Sequence, residues 1–215
     1  MTIDILLADD HVIVRDGLRM LLESRGEMKV VGTASDGREA VMESRRLRPH
    51  VVVMDISMPT LNGIEAARAI TEALPDTKVL ILSMEKSPEH VFRALQAGAR
   101  GYLLKGSAGA ELVAAVQAVH GGRRYLGHEI NETVVAEYIN KGRPDSPLEN
   151  LSARERSLLQ LIAEGHSNGE AAKTLCLSIK TVETYRSRLM QKLGLNDVTA
   201  LVKFAIEHGL TDLKS

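Results

Sequence analysis

The sequence predicts two domains: an α/β domain built on a five-stranded parallel sheet, then an all-α domain of four helices. Three observations carry that prediction. Short apolar runs alternate with helix-period stretches as far as His120. A stretch of breakers and charge, Gly121 to Pro147, then interrupts the pattern. Beyond it no strand pattern returns, and helix caps follow one another at short intervals. At 215 residues the chain accommodates two compact domains, which cluster near ~100–150 residues each. The boundaries read as 1–122, a linker over 123–147 and a second domain over 148–215.

Ile3 to Ala8 reads as the first strand, and Val12 to Arg25 as a helix with Val14, Leu18, Leu21 and Leu22 inward. Lys29 to Ala34 is the second strand, and the helix from Gly37 to Leu47 ends before Pro49. Val51-Val52-Val53-Met54 leads without alternation into Asp55, which suits a strand buried on both faces. A helix from Gly63 to Leu74 follows, with Asn62 and Glu65 spaced as a cap pair. Lys78 to Ser83 is strand four. Ser87-Pro88 opens a helix with a cap and a first-turn proline, and Gly98 stops it. Gly101 to Lys105 is strand five, and a last helix runs from Ser107 to His120. In the linker, Asn131 to Asn140 has the pattern of a short helix.

Composition narrows the function. Lys and Arg number 27 against 28 Asp and Glu, a net charge of -1, so the chain cannot bind nucleic acid by bulk charge; any such contact needs local clustering. The single cysteine, Cys176, excludes an internal disulfide and suits a reducing compartment. No basic leader precedes an apolar stretch, and no apolar run approaches the ~18 residues that span a bilayer. The expectation is a cytoplasmic protein with no membrane partner.

The strand ends carry the chemistry. Strand one ends in Asp9 and Asp10, strand three in Asp55, strand four in Ser83 and strand five in Lys105. In the flavodoxin-like strand order 2-1-3-4-5, strands one, three and four are neighbours at roughly 4.8 Å. Three carboxylates on adjacent ends could not all stay ionised without a cation. All-oxygen ligands favour a hard divalent ion, Mg²⁺ first. Lys105, two strands from Asp55, is long enough to set its ammonium beside that carboxylate or beside a phosphoryl group carried on it. Such a set makes a phosphoryl-acceptor site with a carboxylate nucleophile.

Asp9-Asp10, Asp55 within Met54-Asp55-Ile56-Ser57-Met58-Pro59, Ser83, and Gly98 through Lys105 together resemble the receiver domain of bacterial two-component response regulators over residues 1–122. The resemblance implies that Asp55 takes a phosphoryl group from a histidine kinase or a small phosphodonor. It implies Mg²⁺ on Asp10, Asp55 and the backbone carbonyl of Ser57, with Asp9 orienting that shell. Lys105 would hold the phosphoryl oxygens, and Ser83 with Tyr102 would be the switch pair. Phosphorylation adds roughly -1.5 to -2 charges and three acceptor oxygens, so Ser83 would draw its loop inward and Tyr102 would turn toward the core. Met84 stands where many receivers have a smaller residue, which bears on donor access.

In the second domain Ser152-Ala153-Arg154-Glu155 and Ser167-Asn168-Gly169-Glu170 are capping boxes, stopped by Gly165 and by a turn at Cys176-Leu177. Ser178 caps a third helix closed by Gly194, and Asn196 a fourth reaching His208. Two short helices joined by a tight turn make a helix-turn-helix. On the third helix Val182, Leu189 and Leu193 share the inner face. Lys180, Thr184, Ser187 and Gln191 face outward, flanked by Glu183 and Arg188. Lys180, Arg186, Arg188 and Lys192 against Glu183 give the local positive charge that phosphate attraction requires.

Leu151 through Arg156, Ile162 through Gly165, Ser167-Asn168, Ser178 through Arg186 and Lys192-Leu193-Gly194 resemble the LuxR-type helix-turn-helix of NarL/FixJ regulators over residues 148–210. The resemblance puts the third helix in the major groove of double-stranded DNA. Glu183, Thr184 and Ser187 would be nearest base edges, Lys180, Arg186, Arg188 and Lys192 on phosphates, and Thr181 and Tyr185 within the same contact set. It implies a homodimer on phosphorylation, paired through the last helix, whose Val198, Leu201, Val202, Ala205 and Ile206 form one stripe. Tyr185 replaces the family's usual His, Cys176 its Gly, and Gly169 with Ala171 its Lys and Ile; Cys176 is expected to pack as a small apolar side chain.

The reading is a phosphorylation-switched transcription factor, not an enzyme. One rival is a phosphohydrolase with an aspartyl-phosphate intermediate. Such enzymes usually carry a second Asp two residues past the nucleophile, and Ser57 holds that position here. The other is a DNA-binding protein whose receiver half no longer takes phosphate.

Overall fold

The structure, a computed structural model, describes residues 2–24, 26–130 and 146–211. Its sheet is parallel throughout, with strands β1 (Ile3–Ala8), β2 (Met28–Ala34), β3 (Val51–Asp55), β4 (Lys78–Ser83), β5 (Gly101–Leu104) and β6 (Tyr125–Leu126) in the order β2-β1-β3-β4-β5-β6. The first five take the expected order. The sixth strand is an addition: two residues, Tyr125 and Leu126, pair with Gly101 and Tyr102. A strand so short has no periodicity to read. Just beyond it Ile130 is fully buried in the core of the first domain, so that domain's packing runs past residue 122. The helix expected over Asn131 to Asn140 lies outside the described residues.

Five helices, α1 (Val12–Glu23), α2 (Gly37–Leu47), α3 (Gly63–Ala73), α4 (Pro88–Gln96) and α5 (Ala108–His120), cover both faces of the sheet. One apolar layer joins Leu6, Val52, Met54 and Ile81 to residues of α3 and α4; the other joins Ile5, Leu7, Val53 and Leu82 to α1 and α5. Every residue of β3 is buried, as its unbroken apolar run requires. Register then aligns the carboxyl ends: Ala8 pairs with Met54, and Asp55 with Leu82, which precedes Ser83. Gly63 lets α3 begin hard against this edge, since a Cβ there would lie 1.8 Å from the Asp55 carbonyl oxygen.

Caps decide where most helices start. Asn62 accepts from the Glu65 N–H at 3.0 Å, but the Glu65 carboxylate does not close the box; it pairs with Arg156. Ser87 sits at the cap of α4 without a side-chain hydrogen bond. The second domain holds α6 (Ala153–Ala163), α7 (Asn168–Leu175), α8 (Ile179–Leu193) and α9 (Val198–Glu207). Both expected capping boxes, Ser152 with Glu155 and Ser167 with Glu170, are formed. Asp197, not Asn196, caps α9, its carboxylate accepting from the Ala200 N–H at 2.8 Å. Leu158, Leu159, Leu161, Val182, Leu189, Leu201 and Ala205 make the core of this domain.

Cys176 is exposed rather than packed, and its φ of 54° puts it in the left-handed region that ends α7. That conformation costs a β-carbon residue about 1–2 kcal/mol, which glycine avoids. Cys176→Gly is therefore expected to stabilise the domain by roughly 0.5–1 kcal/mol, after the glycine's extra freedom in the unfolded chain is subtracted. Urea unfolding of the two proteins measures it, and an unchanged or lower midpoint would refute the strain.

Candidate functional site

The ends of β1, β3 and β5 converge on one ammonium group. Lys105, at the start of the 3-10 turn Lys105–Ser107 that follows β5, places Nζ 2.8 Å from Asp55 Oδ2 and 2.8 Å from Asp9 Oδ2. Asp55 Oδ1 accepts the Ile56 N–H at 2.8 Å, which fixes the carboxylate's plane. The Asp55 and Asp9 side chains are both only 3% exposed. Burial pushes the Asp55 carboxyl above its ordinary pKa, more than the Lys105 charge recovers. At Lys105 burial alone would lower the pKa, but Asp55 and Asp9 outweigh it and hold the ammonium above the usual lysine range.

Asp9, Asp10, His11 and Asp55 each offer a ligand atom, and these atoms all lie within 4.8 Å of one another. Three carboxylates outnumber the Lys105 ammonium and the Arg15 guanidinium beside Asp9, an excess of negative charge that a cation would balance. The acidic cluster can hold a metal ion, and its oxygen donors suit a hard one. Ser57 lies in the bend directly after β3, half-buried. Sequence reasoning missed His11, whose Nδ1 is 2.7 Å from Asp10 Oδ1, and Arg15, whose Nη1 donates to the Asp9 carbonyl. His11 follows directly on the acidic pair and Arg15 lies one helical turn further on in α1, which was the available signal.

Ser83 and Tyr102 meet at a third residue. Ser83 Oγ accepts the Glu85 N–H at 3.0 Å, and the Tyr102 hydroxyl donates to the Glu85 carbonyl at 2.8 Å. Tyr102 is fully buried, its ring seated in the core. Burial pushes its phenol well above the ordinary tyrosine pKa, so it stays a hydrogen-bond donor. Met84, 73% exposed, points mainly to solvent.

On α8, Val182 and Leu189 are fully buried as the helical wheel anticipates, Leu193 is only half-buried against the core, and Lys180, Glu183, Thr184, Ser187, Arg188 and Gln191 are exposed. Thr181 is half-buried beside the Ser178 cap. Tyr185 packs partly against the domain core. Two of the expected phosphate-contacting cations are engaged within the protein: Arg186 Nη1 reaches Asn168 Oδ1 at 3.4 Å, and Lys192 Nζ lies 2.8 Å from Glu155. Burial would raise the Glu155 pKa, but Lys192 and the Ser152 cap outweigh it and hold the carboxyl below its usual value.

The two domains are docked through the loop that follows Asp55. Gln160, fully buried on α6, donates from Nε2 to the Met58 carbonyl at 3.0 Å and accepts the Asn62 N–H at 2.8 Å. The Thr60 N–H faces the Glu164 carboxylate at 3.1 and 3.2 Å, with Thr60 held at φ 63°, a strained value for a β-branched residue. Glu65 and Arg156 pair at 2.6 and 3.1 Å. At the end of α9 the His208 carbonyl accepts from Arg93 Nη1 at 2.6 Å. None of these contacts was anticipated; Gln160, a polar residue inside an apolar helical run, was the one available hint.

Comparison with known proteins gives a consistent result. Residues 5–117 match the response regulator receiver domain, and residues 149–205 match the bacterial regulatory proteins of the luxR family. The oxygen regulatory protein NreC of Staphylococcus carnosus is 40% identical over 214 residues, covering 97% of this chain and 99% of that protein. A LuxR-family two-component response regulator from Aurantimonas superposes with a TM-score of 0.63 at 40% identity, over 65% of this chain and 99% of that one. RcsB from Salmonella enterica serovar Typhimurium, bound to promoter rprA in the presence of phosphomimetic BeF3-, superposes with a TM-score of 0.63 at 28% identity, over 95% of this chain and 98% of that one.

Proposed function

This chain belongs to the two-component response regulators that join a receiver to a LuxR-type DNA-binding domain, and from that premise we propose that Asp55 is its phosphoacceptor and α8 its DNA-reading helix. The observation that carries the first half is the Lys105 ammonium shared at 2.8 Å by Asp55 and Asp9. An Asp55 oxygen attacks phosphorus, the bond to the donor's imidazole nitrogen breaks, and the electron pair leaves with the imidazole of a histidine kinase. Lys105 then pairs with an oxygen of the transferred group, and the Ser83 hydroxyl donates to another. Asp10, Asp55 and the Ser57 carbonyl would hold Mg²⁺, with Asp9 orienting the set, and the ion would supply positive charge against the charge building on that group. Ser57 in place of a second acid favours a carrier of the phosphoryl group over a phosphohydrolase.

Lys180, Thr184, Ser187 and Arg188 present the open reading face, with Glu183 among them and Thr181, Tyr185, Arg186 and Lys192 at its margins. Homodimers formed on phosphorylation are the expected DNA-bound species. Among the described residues no helix is long and apolar enough to cross a membrane. The test is DNA binding by the full chain before and after Mg²⁺ with acetyl phosphate. Affinity that rises with the donor supports the reading, and equal affinity of the two forms overturns the switch. Within that assay Lys180→Gln and Arg188→Gln are each expected to lower the salt slope of binding by about 1, since each contacted phosphate contributes roughly 0.9. An unchanged slope would remove that residue from the interface.

A further inference from the structure

The exposed residues of α8 form one stripe at helical spacing: Lys180, Glu183, Thr184, Ser187, Arg188 and Gln191. Glu183 is the sole acid on this helix. It lies in the first half, the part of a recognition helix that reaches base edges. Lys180, one turn before it, and Arg186, one turn after, are the cations that helical geometry sets beside it. Among the described residues neither engages it. Arg186 Nη1 reaches Asn168 Oδ1 at 3.4 Å instead, and Lys180 makes no ion pair. The Thr184 hydroxyl next to it is spent on its own helix, donating to the Lys180 carbonyl at 2.9 Å. Glu183 therefore presents an open carboxylate at the centre of the surface that meets a polyanion. Repulsion from the phosphates and loss of water both oppose that placement. A hydrogen-bond donor on a base edge is what the groove can offer in return.

We propose that Glu183 is a specificity-determining residue that selects cytosine in the major groove, its carboxylate accepting from the N4 amino group. The inference rests on the reading of α8 as the DNA-contacting helix and names what that helix selects. A carboxylate only accepts hydrogen bonds, and the base edges differ in what they give it. Guanine offers two acceptors, and thymine an acceptor and a methyl group. Adenine sets its N6 donor beside the N7 acceptor, a pair that suits an amide, whereas cytosine offers the N4 donor. The repulsion from phosphate is the same on every sequence, so Glu183 weakens binding wherever the cytosine is missing and is compensated where it is present. Discrimination then comes from the penalty on wrong sites as much as from the contact at the right one. Removing the carboxylate should raise affinity for unrelated DNA and erase the preference at one position, two effects that a merely solvated acid does not combine.

The experiment selects duplexes from a randomised pool with the full chain in the presence of Mg²⁺ and acetyl phosphate, alongside Glu183→Gln, Glu183→Ala and Lys180→Gln. Glu183 is exposed, so folding tolerates both of its substitutions. The wild type should select a cytosine at one position of each half-site, and replacing that base pair should weaken binding about tenfold. Glu183→Gln should exchange the cytosine for adenine, which an amide reads through N6 and N7. Glu183→Ala should accept every base there and bind a duplex of unrelated sequence more tightly than the wild type does. A wild-type consensus without that cytosine, or one that both Glu183 variants leave unchanged, overturns the proposal; α8 stays the DNA-contacting helix if Lys180→Gln still lowers the salt slope. No selected sequence, together with a slope that Lys180→Gln leaves unchanged, overturns the reading of α8 and this proposal with it.

Discussion

Asp55→Asn is expected to fold like the wild type and never to gain the roughly 80 Da of one phosphoryl group on exposure to Mg²⁺ and acetyl phosphate. The amide keeps the oxygen that accepts the Ile56 N–H at 2.8 Å, so the local backbone is undisturbed. Lys105 loses one partner and keeps the other, Asp9, at 2.8 Å, so no cation is left stranded. Removing one of several crowded carboxylates even relieves repulsion in the buried cluster. What disappears is the nucleophile, because an amide oxygen does not attack phosphorus at a useful rate. The donor's effect on DNA binding should vanish with the adduct. Intact-mass measurement on both proteins decides the matter. A variant that still gains the group at the wild-type rate would place the acceptor elsewhere, and a wild type that never gains it would favour a receiver that no longer takes phosphate.

The sequence made this site legible because parallel sheets put their chemistry at one edge. Five apolar runs and their terminal residues were enough to place Asp9, Asp55, Ser83 and Lys105 together, without knowledge of any side-chain rotamer. The capping boxes at Ser152 and Ser167 were legible for a similar reason: both partners lie within four residues. What escaped depended on contacts between distant segments. The sixth strand exists because Tyr125 and Leu126 find the open edge of β5, and two residues carry no period of their own. The seating of Tyr102 rests on the Glu85 carbonyl, a backbone group that sequence cannot place. Glu65 reads as half of a capping box, yet its carboxylate crosses to Arg156 on the other domain. Local spacing offers the bond, and the buried guanidinium outbids it.

Arg156→Met is expected to undo the docking of the two domains, the largest effect available away from the phosphoacceptor. Arg156 is about a tenth exposed and Glu65 less, so the pair is largely desolvated. Removing one partner of a buried pair typically costs about 3–5 kcal/mol; Arg68, 3.9 Å from Glu65, keeps this one toward the lower end. At 1.4 kcal/mol per factor of ten, about 3 kcal/mol already shifts the ratio of docked to separated domains roughly a hundredfold. Separation rehydrates Glu65, which is the easiest relief available to it. The loop after Asp55 would then lose its hold on Gln160 and Glu164, and the strained Thr60 could relax. The reading face of α8 is already exposed in the docked form, so release does not act by uncovering it. It frees the end of α9, now held by Arg93 and Glu89, for pairing with a second copy. Arg156→Met should therefore bind DNA without a phosphodonor, with a steeper dependence on protein concentration than the untreated wild type shows. Small-angle scattering should report a larger radius of gyration for the same mass. Circular dichroism and thermal melting serve as controls that both domains remain folded, since Arg156 also donates to the carbonyls of Leu148 and Leu151. Gln160→Leu, which removes the hydrogen bonds to Met58 and Asn62 but leaves Arg156 intact, should move both readouts the same way. If both variants stay folded, compact and dependent on the donor, the docked interface does not restrain the DNA-binding domain.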